Sequence, residues 1–117
     1  MSKVPIIDVH THMMSDEYID TIRKFGGDFT VDTCIGGNEA IHRKGAPFTT
    51  LTAPMFDYDQ RVKDMDICGV DISVVSLTAP SVYWGTKEVS VKAARAINEN
   101  MRDAQSRYPD RIRFYAR

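Results

Sequence analysis

The sequence is short of cysteine, has no long apolar run, and carries no excess of charge of either sign. Its two cysteines, Cys34 and Cys68, cannot build a disulfide scaffold and lack the CxxC spacing of a redox or zinc motif. Free thiols and a reduced, cytoplasmic setting are therefore expected. No apolar stretch approaches the roughly 18 residues of a membrane-spanning helix. The N-terminus meets Asp8 and His10 within ten residues, so the apolar centre of a signal peptide is missing. Lysine and arginine total 15 against 16 acidic residues, a net charge of −1, which excludes the broad basic surface that nucleic acid requires. Internal repeats and low-complexity tracts are also absent.

What remains is one ordinary globular segment of 117 residues, 43% apolar and 26% charged. Val4 to Val9 (VPIIDV) reads as a strand buried on both faces. Ser15 can cap a helix whose first turn holds Asp16 and Glu17, whose apolar positions are Tyr18, Ile19, Ile22 and Phe25, and which stops at Gly26-Gly27. Phe29 to Ile35, the turn Gly36-Gly37 and the return Phe48 to Leu51 suggest a small hairpin. Asp57 with Gln60 has the form of a capping box, opening a helix with Val62, Met65 and Ile67 that ends at Gly69. Val70 to Leu77 is a second buried strand. Thr86 caps a long helix bearing Val89, Ala93, Ala96, Ile97, Met101 and Ala104, stopped by Pro109. Arg111 to Tyr115 begins a third strand. Strand, helix, strand, helix, strand predicts an α/β fold with a parallel sheet of about three strands and a hairpin insertion. A parallel sheet that stops at its third strand reads as a portion of a larger domain.

The chemistry lies in Asp8-Val9-His10-Thr11-His12. Side chains at i and i+2 of a strand share a face, so His10 and His12 project together from the strand's C-terminal end. Parallel α/β folds place their sites at that end. Two neutral imidazoles there are half of a divalent metal site, and they do not discriminate among zinc, manganese, magnesium and iron. Asp8 points to the other face and is expected to accept a backbone or loop hydrogen bond. His42, beside Arg43 and Lys44, reads as a solvated loop residue, and Cys68 as a small buried hydrophobe. Tyr83 and Trp84 follow the second strand, where an aromatic pair can wall a substrate pocket.

IDVHTH after a short first strand resembles the amidohydrolase superfamily. With FDYDQRVKDMDICGVDISVVSL, VYW and YPDRIRFYA in that order, the chain is similar to the aminocarboxymuconate-semialdehyde, resorcylate and carboxyvanillate decarboxylases from Ile6 to Ala116. The resemblance implies the N-terminal portion of a metal-dependent (β/α)8 barrel, with residues 1–117 forming an incomplete domain. It implies that His10 and His12 bind one divalent metal, and that the other ligands and the catalytic proton donor lie beyond residue 117. It implies a decarboxylase acting on a small aromatic or unsaturated carboxylic acid, in a cytoplasmic homo-oligomer without nucleic-acid or membrane partners. A hydrolase of an amide, lactone or C–C bond, and a non-catalytic self-associating segment, are the alternatives.

Overall fold

The computed structural model describes residues 4–117. Strand β1 (Ile7–His12) leads into helix α1 (Asp16–Phe25), and Ser15 accepts the Tyr18 N–H as its N-cap. Then come β2 (Phe29–Thr33), β3 (Glu39–Arg43) and β4 (Ala46–Thr50), a 3₁₀ turn at Ala53–Phe56, and helix α2 (Tyr58–Cys68). Strand β5 (Ile72–Ser76), helix α3 (Lys87–Arg107) and strand β6 (Ile112–Phe114) complete the order. The parallel sheet runs β1-β5-β6, as the strand–helix alternation requires.

The helices cover one face of this sheet. On β5 that face carries Ser73 and Val75, both essentially inaccessible, whereas Ile72, Val74 and Ser76 keep partial exposure on the other. Helix α3 buries Ala93, Ile97, Met101 and Ala104, a stripe at helical spacing. These meet Tyr18, Ile19 and Ile22 of α1, together with Met13, Met14, Val75 and Leu77, in one core. Each large apolar side chain so buried contributes about 1.5–3 kcal/mol.

Several expectations need correction. Among the described residues β1 is not buried on both faces: it starts at Ile7, it has one strand neighbour there, and Ile7 and Val9 are 47% and 62% exposed. The insertion is a three-stranded antiparallel sheet, not a simple hairpin. β2 ends at Thr33 and pairs with β3, and it is β3 that pairs with the 46–50 segment. The unforeseen turn is Lys44-Gly45. Both residues have positive φ, 51° and 82°, the conformation of a tight type I′ hairpin. His42 therefore sits within β3, buried, its Nδ1 3.0 Å from the Ala40 carbonyl. Ile67 is exposed because positions 65 and 67 of a helix point to nearly opposite sides and Met65 takes the core; Cys68 shares the Met65 side but is the last residue of α2 and is exposed at the helix end. Asp57 caps α2 through the Gln60 N–H, but the Gln60 side chain turns to Asp64 and does not close the box.

Candidate metal centre

The site begins with an irregularity in β1. Asp8 pairs with Ser73 and Thr11 with Val75, so β1 spends three steps where β5 spends two. Val9 and His10 together oppose Val74, which is a β-bulge. Asp8 and Thr11 thereby share the helix-covered face with Ser73 and Val75. His12, opposite Ser76, stands on the other face at the C-terminal end of both strands. Asp8 accepts the His10 N–H at 3.1 Å, the backbone role expected of it, and so braces the bulged residue.

His10 and His12 converge. Their Nε2 atoms are 3.2 Å apart and their rings meet edge to face, with centroids 4.9 Å apart. Two nitrogens at about 2.0–2.1 Å from a tetrahedral zinc ion are about 3.3–3.4 Å from each other, so the observed separation fits a pair of ligands on one ion. Two bare imidazole nitrogens this close repel, so the pair wants a proton or a cation between them. The His12 ring is also oriented from behind. Its Nδ1 lies 3.2 Å from the Ser76 carbonyl, which can only accept. Nδ1 thus carries the hydrogen and Nε2 presents its lone pair, the arrangement of a metal-binding histidine with its second ring nitrogen anchored. Ser76 went unrecognised in the sequence, because nothing in VDISVVSL marks which residue lies beside His12.

Among the described residues no group of three or more His, Cys, Asp or Glu side chains is placed to hold a metal. His42 is committed to the antiparallel sheet. Both aromatic candidates lie in the loop after β5, but they diverge. Trp84 is packed against the core and donates its indole N–H to the Ser81 carbonyl at 2.8 Å. Tyr83 is 82% exposed. The same Ser81 carbonyl accepts the Tyr18 hydroxyl at 2.5 Å, so Trp84 and Tyr18 together fix this loop. Tyr18 is fully buried, and burial pushes its phenol up to about 12.

Sequence and fold have counterparts among known proteins. The chain is 29% identical over 115 residues to a 2-amino-3-carboxymuconate-6-semialdehyde decarboxylase of Caenorhabditis elegans, matching 95% of this chain and 28% of that protein. It superposes on IDCase from Metarhizium anisopliae with a TM-score of 0.79 at 22% identity, covering 96% of this chain and 34% of that one. A 5-carboxyvanillate decarboxylase of Novosphingobium aromaticivorans, complexed with manganese and 4-hydroxy-3-methoxy-5-nitrobenzoic acid, gives 0.64 at 20% identity, over 97% of this chain and 33% of that one. No protein-family profile matches. The architecture is that of the N-terminal part of an amidohydrolase-type barrel, and these relatives come from the decarboxylase branch that the motifs resemble. The chain spans about 28% of the length of its curated relative.

Proposed function

We propose that this chain supplies the first ligand pair of a metal-dependent decarboxylase, a carboxy-lyase acting on a small aromatic or unsaturated carboxylic acid. The observation that carries the reading is the 3.2 Å approach of the His10 and His12 Nε2 atoms at the C-terminal end of a parallel sheet. Similarity to a decarboxylase over 95% of the chain supports the reaction class. His10 and His12 would hold the ion, with Ser76 fixing the His12 tautomer. Bound there, a divalent metal supplies positive charge for the substrate's carboxylate and the adjacent oxygen. The two imidazoles accept zinc, manganese or iron, and zinc is the ion proposed first. The remaining ligands, and the acid that protonates carbon before the C–C bond breaks, are placed outside residues 1–117. Tyr83 is the pocket residue retained from the aromatic pair, being free of the packing that holds Trp84. The setting proposed is a cytoplasmic homo-oligomer. Among the described residues no helix is long and apolar enough to cross a membrane.

The test is carbon dioxide release from candidate acids by the whole protein that carries this chain. His10→Ala and His12→Ala must each abolish turnover, and normal turnover in both overturns the proposal. Incorporation of oxygen from labelled water into the product acid, without carbon dioxide, would instead identify a hydrolase.

A further inference from the structure

We infer that Arg61 is a positioning residue for the histidine pair, holding the end of β1 in the shape that makes the two Nε2 atoms converge. Arg61 lies on α2, far from the histidines in sequence, yet its guanidinium grips three successive residues. Nη1 donates to the Thr11 hydroxyl at 2.7 Å, and Nη2 donates to the His12 carbonyl at 3.1 Å and lies 3.3 Å from the Met13 sulfur. The inference rests on the metal-site reading above.

The end of β1 has a specific need for such a clamp. The bulge at Val9–His10 interrupts its ladder with β5, and the register resumes only at Thr11. A one-residue change of register moves a side chain to the opposite face. Tying the Thr11 hydroxyl to the helix side keeps its neighbours, His10 and His12, on the other. The His12 carbonyl bond fixes the backbone of the ligand itself. Two further bonds complete the hold on this segment: Met13 N–H to the Ser76 carbonyl at 3.2 Å and Met14 N–H to the Met55 carbonyl at 2.8 Å. The arginine reaches both a side chain and a carbonyl of the HTH segment. A planar fork with several fixed donors can do this, and a lysine ammonium cannot reproduce both contacts.

The test compares, in the whole protein that carries this chain, wild type, Arg61→Met, Arg61→Lys and Thr11→Val by two readouts. The first is manganese affinity, followed by the electron paramagnetic resonance of the free ion. The second is the nuclear Overhauser effect between the His10 and His12 ring protons in metal-free protein. Arg61→Met is expected to weaken manganese binding about ten- to a hundredfold. It should also lose the inter-ring effect, while amide dispersion away from β1 stays native. Arg61→Lys should recover part of both. Wild-type affinity together with an intact inter-ring effect in Arg61→Met overturns the inference. If wild type binds no manganese, the metal reading fails, and the ring–ring effect alone decides whether Arg61 positions the pair. If Arg61→Met does not fold, Thr11→Val decides: several-fold weaker binding with a diminished ring effect supports the clamp, and no change in either overturns it.

Discussion

Nδ1 of His12 lies 3.2 Å from both the carbonyl oxygen and the hydroxyl of Ser76, across the pairing of β1 with β5. The carbonyl fixes the tautomer, and the hydroxyl adds a second partner on the same side of the ring. Ser76→Ala removes only the hydroxyl. Manganese affinity should then fall by no more than about tenfold, the lower end of what loss of a ligand's outer hydrogen bond costs. Titration of the variant in the whole protein, beside His12→Ala, which should lose binding altogether, checks this. A Ser76→Ala loss as large as that of His12→Ala would mean that the hydroxyl, not the carbonyl, orients the ring.

The parts of the fold that follow period and caps were legible in the sequence. Ser15, Thr86, Gly69 and the α3 stripe all lie where local chemistry puts them, since each signal is completed within one helical turn. β3 was not legible. Glu39-Ala40-Ile41-His42-Arg43 mixes charge with short apolar content, and its turn uses Lys-Gly in place of the usual Asn-Gly or Asp-Gly. Nor were the partners of the acidic residues on α2 legible. In the structure Asp59 accepts from Arg107 and Tyr108, and Asp66 pairs with Arg111 at 2.8 Å, contacts that only the tertiary fold creates. His10 and His12 were readable as a pair, but their convergence depends on a bulge, on Ser76 and on Arg61, which the strand period alone does not reveal.

Gly26 and Gly69 end their helices for different reasons, and alanine should separate them. Gly26 has ordinary helical angles, φ −69° and ψ −12°, but a Cβ there would lie 2.2 Å from the Phe29 carbonyl oxygen and 2.4 Å from that of Ile22. Gly69 has φ +76° and open space around its missing side chain. Gly69→Ala should cost about 1 kcal/mol, the price of a left-handed alanine. Gly26→Ala must push backbone aside and should cost more. Urea midpoints of the two variants decide the order, and a smaller loss for Gly26→Ala would show that the α1–β2 corner yields easily.

Tyr83 and Trp84 should part company in mutagenesis. Tyr83 is exposed, so Tyr83→Ala should leave stability within about 0.5 kcal/mol of wild type. Any rise in KM of the whole enzyme would then report a substrate contact. Trp84→Ala removes packing and the indole bond to Ser81, and should destabilise by about 2 kcal/mol or more. Thermal melts beside steady-state kinetics check both. Equal stability losses would remove the distinction drawn here between the two rings.

Alkaline stability should report two buried tyrosines with opposite behaviour at neutral pH. Burial raises the Tyr18 phenol from 10.0 to about 12, and the Trp84 hydrogen bond and Arg117 charge offset only part of that. The folded state thus releases this proton later than the unfolded chain does. Its contribution is fully present below pH 10 and is lost as pH rises through about 12. A shift of this size is worth at most about 2–3 kcal/mol. Tyr18→Phe should lose about 1 kcal/mol at pH 7 with its bond to Ser81, and should decline less steeply across that window. Burial also raises the Tyr58 phenol, but its hydroxyl is buried with no hydrogen-bond partner among the described residues. Tyr58→Phe should flatten the alkaline decline as well, yet be neutral or slightly stabilising at pH 7, since it deletes an unsatisfied group. Urea unfolding at pH 7 and at steps from pH 9 to 12 separates the two. A destabilised Tyr58→Phe at pH 7 would mean that this hydroxyl has a partner, such as a bound water, that stabilises the fold.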